Sequence, residues 1–281
     1  NAGTIQTRSL DDMQLGDVNA WATQGNGGSV TVQTDSNFTS RSLLSYSREG
    51  RGSNITLQAG GDISTYSINT TANQGSGNIT IDTPGTLRLT FEDQTNLVAG
   101  AFRSTIYSSD TFGVGAGGDI RISAGLVSLE SGAQISASTQ SSGAGGNISI
   151  TATELVKLSG TAPSNIFPGA IPAGAAGAPN ELFLIGYVPS GNGLDGMLEN
   201  TVYPTGIFTQ TINRSTGNAG TIALQTPQLI VEGGATIGST AFGMGTGGNI
   251  AINTLDGSVV LNTGGRINSG VVGADGSSGT I

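Results

Sequence analysis

The sequence predicts an all-β protein, a right-handed parallel β-helix in which a repeat of about 25 residues winds one coil. Three observations lead to this fold class. A glycine-rich turn followed by Ile or Val recurs along the chain, apolar and polar residues alternate after each turn, and the apolar spacing typical of helices is absent. With 47 glycines among 281 residues and only 10% charged residues, the composition also disfavours a globule of amphipathic helices.

The glycine-rich turn and its apolar residue mark the phase of the repeat. Most intervals between successive markers lie in the twenties, which is the range of solenoid proteins, and two intervals are much longer. Each unit then buries its apolar face against its neighbours rather than in one shared core. The markers are Ile5, Val30, Ile55, Ile79, Ile120, Ile148, Ile222, Ile250 and Ile281.

Within one unit the apolar residues follow a period of two. After Ile120 and Ile122 come Val127 and Leu129, and then Ile135, with turn residues between these segments. Each unit therefore supplies about three short strands, without room for hairpins or a crossover helix. Strand one of each coil is expected to lie parallel on strand one of the next, so that about eight to ten coils form a rod about 40 to 50 Å long.

Small polar residues precede the inward Ile or Val, which predicts a ladder along one corner. Stacked Asn side chains can hydrogen-bond to one another and to the turn backbone. The paired glycines supply positive φ or a close backbone approach there. Asn occurs at 54, 78, 147 and 249, and shorter or acidic residues take the same place at Thr4, Ser29, Asp119, Thr221 and Thr280. The motif at 60–63 copies this turn soon after Ile55, so the tetrapeptide alone does not define the phase.

Two steps between markers are longer than one coil. The step from Ile79 to Ile120 predicts an additional strand or partial coil around Leu87, Leu89 and Phe91. The step from Ile148 to Ile222 is the longest and predicts a Pro/Gly-rich side insertion at 160–203 within a single repeat region spanning 1–281. Its apolar centre, LFLIGYV at 182–188, is expected to pack on the coil as a strand or hairpin, with an exposed partner site as the alternative.

Charge and composition exclude several classes of protein. A formal charge of −9 with ten Lys and Arg argues against a nucleic-acid surface, and the absence of cysteine excludes disulfides and thiolate metal sites. No run of eighteen apolar residues and no signal-peptide pattern occurs. Because NAGTI and SSGTI occupy the same phase at the two ends, we expect neighbouring β-helix segments or identical subunits stacked end to end.

The turn sequences resemble a known family. GNAGTI at 217–222, LIV at 229–231, GGATI at 233–237 and GGNI at 247–250 resemble the repeats of filamentous-haemagglutinin-like exoproteins of the two-partner secretion type, particularly cyanobacterial ones, as does PTGIFTQ at 204–210. The resemblance covers essentially the whole chain and is strongest at 117–158 and 204–267. It implies a right-handed coil, in line with the general crossover preference. It further implies an extracellular or cell-surface adhesin or matrix component exported through an outer-membrane partner. The Asn-Pro signatures of the family's secretion domain are absent.

The expected function is accordingly a structural and adhesive shaft segment, without catalytic residues, cofactor or metal, that contacts cell-surface glycans or matrix. The alternative is a polysaccharide lyase or hydrolase acting on acidic glycans, whose two carboxyl groups are often distant in sequence. Asp11, Asp12 and Asp17 form the densest acidic group, interpreted as a solvated turn rather than a calcium site. VGAGGDIRI at 114–122 partly matches a calcium-binding nonapeptide but is interpreted as the ordinary corner turn.

Two further surfaces carry a hypothesis. Arg41, Arg48 and Arg51, with Tyr46 and Glu49 between them, form either a solvated loop or a contact site for an acidic glycan or partner. The outward residues Thr31, Thr56, Thr80 and Ser149 suggest an array of the kind that binds ice. The series is broken by Arg121, Ala223 and Ala251, so it is interpreted as ordinary surface.

Overall fold

The computed structural model describes residues 1–90, 105–107, 115–139, 142–162, 203–211, 216–241, 244–271 and 276–281. This part of the chain is built from strands and turns, and 19 of its strands belong to one sheet whose pairings are all parallel. The all-β prediction is confirmed, and the arrangement is compatible with a parallel β-helix. No helix in the described ranges is long and apolar enough to cross a membrane.

The phase markers pair with one another in the order that the repeat predicts. Ile5 pairs with Val30 and Val30 with Ile55, and the series continues without a change of register to Ile250. Beyond it, the amide of Ile250 donates to the carbonyl of Thr280, one residue before the last marker, Ile281. The inward Ile or Val residues of eight successive units are therefore aligned. We refer to this stack of units as the column.

Each unit contributes strand segments at three positions. The first position contains β1 (Ile5–Ser9), β3 (Val30–Thr34), β5 (Ile55–Ala59), β7 (Ile79–Asp82), the first halves of β10 (Ile120–Glu130) and β12 (Ile148–Ser159), β16 (Ile222–Gln225) and β19 (Ile250–Asn253). The second contains the first halves of β2 (Met13–Asn19), β4 (Phe38–Leu44) and β6 (Ile63–Asn69), then β8 (Thr86–Thr90), the second halves of β10 and β12, β17 (Gln228–Glu232) and β20 (Ser258–Leu261). The third contains the second halves of β2, β4 and β6, then β9 (Thr105–Tyr107), β11 (Gln134–Ser136), β15 (Gly206–Phe208), β18 (Thr236–Ala241) and β21 (Arg266–Val271).

The strand predicted around Leu87 and Leu89 is present as β8, but it is the ordinary second strand of its unit and not an additional one. Ile79 pairs directly with Ile120, and Leu87 lies between Ile63 and Val127. Leu87 and Leu89 are thus regular inward residues, whereas Phe91 lies outside the described residues. The copied turn at 60–63 is explained in the same way, because Ile63 begins the second strand position of its unit.

The insertion also leaves the stacking unchanged. Ile148 pairs directly with Ile222 although the whole insertion lies between them in sequence. At the base of the insertion, β13 (Thr161–Ala162) pairs antiparallel with β14 (Tyr203–Pro204). The buried Thr205 closes this base, because its Oγ1 donates to the carbonyl of Ser159 (2.9 Å) and accepts from the amide of Gly132 (2.7 Å). Residues 163–202, including the apolar stretch 182–188, lie outside the described residues.

The interior combines an apolar stack with buried hydroxyl groups. In the inner units, alternating Ile, Leu and Val side chains of all three strand positions are fully buried, each contributing about 1.5 to 3 kcal/mol. Most of the corresponding residues of the first and last units are partly exposed. Near the corner that leads back to the first strand, buried and half-buried Ser and Thr hydroxyls donate to carbonyls of the glycine turn. Thr70 donates to Gly77 (2.6 Å), Thr209 to Gly220 (2.7 Å) and Ser269 to Gly248 (2.7 Å). These turn carbonyls therefore have protein partners on the interior side.

The second glycine of the turn is required by the close approach of successive units. A Cβ added at Gly220 would lie 1.9 Å from the carbonyl oxygen of Gly146, and one at Gly248 would lie 1.9 Å from that of Gly220. Of the two roles predicted for the glycine pair, close backbone approach is the one that operates at this position. In the third unit the equivalent residue is Ser53, and there Gly52 makes the close approach, to the carbonyl of Thr70.

The predicted ladder of asparagines is confirmed, and its hydrogen bonds run from backbone to side chain. The amide of Asn78 donates to Asn54 Oδ1 (2.9 Å), that of Asp119 to Asn78 Oδ1 (2.8 Å) and that of Asn147 to Asp119 Oδ1 (3.0 Å). The amide of Thr221 then donates to Asn147 Oδ1 (2.9 Å). Each side chain thus satisfies a backbone donor of the next unit, which explains why Asp substitutes for Asn at 119.

Replacing Asn147 by Ala is expected to destabilise this part of the column by about 1 kcal/mol. The substitution removes the acceptor of the Thr221 amide and the donor to Asp119 Oδ1. Urea denaturation followed by circular dichroism measures the change. Gln225→Ala is the matched control, since that exposed side chain makes no hydrogen bond within the described residues. Equal stability of the two variants would contradict a ladder role for Asn147.

Candidate functional site

The three aspartates of the first unit have separate partners. Asp12 Oδ1 accepts from the amide (3.1 Å) and the Nδ2 (3.1 Å) of Asn37, so it occupies a second ladder that continues to Asp62 and Thr86. Asp17 Oδ1 accepts from the hydroxyl of Ser42 (2.6 Å) and lies 3.9 Å from Arg41 Nε. Asp11 is an exposed turn residue whose amide donates to Ser9 Oγ (3.2 Å). Within the described ranges no three His, Cys, Asp or Glu side chains are grouped so that they could hold a metal ion.

The environment of Asp12 lowers the pKa of its carboxyl group from the ordinary 3.8. The hydrogen bond from the Ser36 hydroxyl is the main cause, followed by the one from the Asn37 amide. Because the pKa is lower in the folded state, this contribution to stability is present above about 3.8 and is lost as the pH falls through the folded value.

We expect Asp12→Asn to reduce the loss of stability on acidification. An Asn at this position keeps an acceptor for the ladder, as Asn37 does one unit later, but no longer takes up a proton. Urea midpoints measured at neutral pH and below pH 3.8 provide the test. Asp82→Asn serves as the control, because the exposed carboxylate of Asp82 makes no hydrogen bond with described residues. The same acid sensitivity in wild type and Asp12→Asn would contradict the prediction.

The glycine-rich stretch at 114–122 contributes its aspartate to the first ladder. Asp119 Oδ1 accepts from the amide (3.0 Å) and Nδ2 (3.2 Å) of Asn147, and Oδ2 lies 3.3 Å from Arg121 Nη2. Both carboxylate oxygens are thus engaged within the column. These contacts agree with the corner-turn interpretation, with Val114 itself outside the described residues.

The outward row of the first strand position follows the sequence interpretation. Thr31, Thr56 and Thr80 are paired one on the next, and the row then continues with Arg121. The next members are Ser149, Ala223 and Ala251. Threonine therefore occupies only three successive places of this row.

The structure separates the three clustered arginines. Arg41 lies before the third strand position and faces Asp17, whereas Arg48 and Arg51 lie beyond that strand, in the corner that leads to β5. Arg48 donates its amide to the carbonyl of Ala22 (3.1 Å), and Arg51 donates its amide to Asn26 Oδ1 (3.0 Å). Along the backbone, the second half of β4 therefore lies between Arg41 and the other two arginines.

The same corner contains an aromatic residue that the sequence reasoning missed. Trp21 occupies the place in the first unit that Tyr46 occupies in the second, since Ala22 is bridged to Ser47 and its amide donates to the carbonyl of Tyr46 (3.0 Å). Trp21 is 49% exposed, although both of its neighbours in sequence are buried. The available signal was that Trp21 and Tyr46 are separated by the same interval as the markers Ile5 and Val30.

We refer to Trp21, Tyr46, Arg48 and Arg51 as the Trp21 corner. The two arginines are exposed and form no ion pair with described residues. In the corner segments 20–29, 45–54 and 70–78 of the first three units, the charged residues are Arg48, Glu49 and Arg51. This surface therefore has a net positive charge on a chain with a formal charge of −9. Aromatic rings and guanidinium groups are the side chains that are enriched in contact sites for ligands and partners.

No family model, no curated protein and no solved structure matches this chain.

Proposed function

We propose that the chain is a stretch of right-handed parallel β-helix with coils of about 25 residues, and that it serves as a structural and adhesive shaft of a secreted or cell-surface bacterial exoprotein. The observation that carries the proposal is the register from Ile5 to Ile250, which is kept even across the two long steps between markers. Eight units at the interstrand spacing of about 4.8 Å give a column about 40 Å long.

The uniform backbone pairing supports a mechanical role. Each unit rests on its neighbours through parallel strands, side-chain ladders and close glycine contacts, so the stiffness of the column comes from many equivalent interactions. Extra residues leave the column at its side without breaking the stack, as at the base formed by Thr161 and Pro204. Such a shaft can carry recognition segments while its axis remains continuous.

The proposed partners, export route and location follow from the resemblance of the turn motifs to filamentous-haemagglutinin-like exoproteins. Neighbouring β-helix segments or identical subunits would extend the column, and an outer-membrane partner would export the protein. Cell-surface glycans or matrix are the proposed contacts outside the cell. The general right-handed preference of parallel crossovers supports the handedness.

End-to-end extension of the column is tested by small-angle X-ray scattering of the purified chain over a range of concentrations. One copy of eight units is about 40 Å long, close to the diameter of a compact globule of the same 28.0 kDa mass, so a single copy is not expected to be elongated. Copies that stack end to end are expected to lengthen the particle in steps of about 40 Å at constant cross-section. A particle that stays compact and monomeric at all concentrations would contradict stacking of identical subunits.

The adhesive function is tested by retention of cells or matrix polysaccharide on immobilised protein. A variant in which a short Gly-Ser turn joins Ala162 to Tyr203 deletes 163–202 and leaves the antiparallel base in place. Retention that the deletion abolishes assigns adhesion to the insertion, and retention that persists assigns it to the column. No retention by the intact chain contradicts adhesion. Release of new reducing ends or unsaturated uronates from acidic polysaccharides would support the alternative function, a polysaccharide-active enzyme.

A further inference from the structure

The Trp21 corner presents the large aromatic side chain of Trp21 at the surface of the column. Trp21 is flanked by buried Ala20 and Ala22, so its side chain projects away from the interior and remains half exposed. It is the sole tryptophan of the chain. Large aromatic side chains are costly to leave in water, and exposed ones are characteristic of contact sites.

Tyr46 extends this surface along the column. It follows Trp21 at the same place one unit later, and the bridge between Ala22 and Ser47 holds the two backbones at the interstrand spacing of about 4.8 Å. Ser45 and Ser47 are fully buried, so Tyr46 also leaves the backbone outward. In the third unit Thr71 takes this place and is buried, which ends the aromatic row after two units.

The two arginines give the surface its specificity. Their amides donate to Ala22 and Asn26 of the preceding unit, so the backbones of both arginines are fixed in the corner that carries Trp21 and Tyr46. A guanidinium binds carboxylate or sulfate groups through two parallel hydrogen bonds. Glu49 between them is the one acidic residue of the corner, and its carbonyl accepts from Gln74 Nε2 (2.7 Å).

We propose that the Trp21 corner binds an acidic polysaccharide, with pyranose rings stacked on Trp21 and Tyr46 and their carboxylate or sulfate groups bound by Arg48 and Arg51. A neutral glycan would use the aromatic faces and leave both cations unused. A nucleic acid would require a cationic surface much larger than two arginines on this acidic chain. The inference rests on the proposed adhesive function and names the ligand class of one site on the column.

Trp21 itself reports the binding, because all tryptophan fluorescence of the chain comes from this site. We expect oligogalacturonate, sulfated dextran or both to change the emission in a saturable manner, and neutral dextran of similar length to have no effect. A response to one acidic polymer identifies carboxylate or sulfate as the bound group. A response to neutral dextran equal to that of the acidic polymers would overturn the proposal, as would no response to any of them.

Variants separate the site from general electrostatic attraction. Arg48→Gln and Arg51→Gln are each expected to weaken binding about tenfold. Arg266→Gln removes the same charge from an exposed side chain at the far end of the column, which has no ion pair with described residues, and is expected to bind like wild type. Equal weakening by Arg266→Gln would overturn the proposal. Circular dichroism checks that each variant is folded.

Further measurements distinguish failure of this binding site from failure of the proposed adhesive function. Calorimetry with Trp21→Ala and Tyr46→Ala measures binding without the fluorescent reporter, and both variants are expected to weaken it. If cells are retained by wild type and equally by Arg48→Gln, adhesion stands and the Trp21 corner is the wrong site. If neither cells nor acidic polysaccharides are retained by wild type, both the adhesive function and this site are wrong.

Discussion

Gly220→Ala is expected to destabilise the column by about 3 kcal/mol, although it adds a single methyl group. That methyl would lie 1.9 Å from the carbonyl oxygen of Gly146 and 2.7 Å from its carbonyl carbon, both of which are backbone atoms held by strand pairing. The neighbouring units must separate to admit it. This separation lengthens the hydrogen bonds between the two units, including the one from the Thr221 amide to Asn147 Oδ1.

Amide hydrogen exchange across 216–225 and 142–152 measures this effect locally, since units of a solenoid open partly independently. Gly270→Ala is the matched control, because a Cβ at Gly270 meets no atom within 4 Å and its φ is not in the left-handed region. We expect that variant to be as stable as wild type. Unchanged protection of these amides in Gly220→Ala would contradict the prediction, because it would show that the two units accommodate the methyl group without separating.

Ile148→Ala is expected to destabilise the protein by about 2 to 5 kcal/mol. Ile148 is almost fully buried between the inward side chains of Ile120 and Ile222, so its loss leaves a cavity that touches three units. The rigid stack cannot collapse to fill that cavity without breaking the register above and below it. Urea denaturation followed by circular dichroism, together with exchange of the Ile120 and Ile222 amides, provides the measurement.

Ser149→Ala is the control for Ile148→Ala within the same strand. Ser149 is the adjacent residue and its side chain is exposed on the outward side of the column, so its truncation is expected to change stability by less than about 0.5 kcal/mol. Similar losses in both variants would indicate that the strand itself, rather than the inward stack, determines stability at this unit.

The strand positions and the first ladder were predictable because they depend on local pattern. Alternation shows which side chains of a strand point inward, and a marker repeated at each turn shows which residues stack. The inward residues Ile122, Val127 and Leu129, and the asparagines at 54, 78 and 147, therefore occupy the places that the repeat assigns to them. The step from Ile148 to Ile222 was recognisable as irregular because its length and its prolines interrupt this pattern.

Several features depended on how successive units lie on one another. The step from Ile79 to Ile120 contains an ordinary second strand rather than an additional one, since stacking requires only that Leu87 meet its neighbours in the units before and after it. The first two members of the second ladder, Asp12 and Asn37, are not preceded by paired glycines, which occur only before Asp62. Arg41 lies within β4 and Arg48 lies beyond its end, so the two residues are further apart in the structure than their closeness in sequence suggests.

Local alternation and the repeat thus defined the strands, their inward faces and the phase of the stack, because each of these follows from the geometry of a single unit. Contacts between units decided the rest. Trp21 and Tyr46 lie one unit apart at the same corner because parallel pairing aligns residues that are one repeat apart. Gly220 must lack a side chain because the carbonyl of Gly146 approaches it from the preceding unit. Such contacts form only when the column assembles, since their partners are distant along the chain.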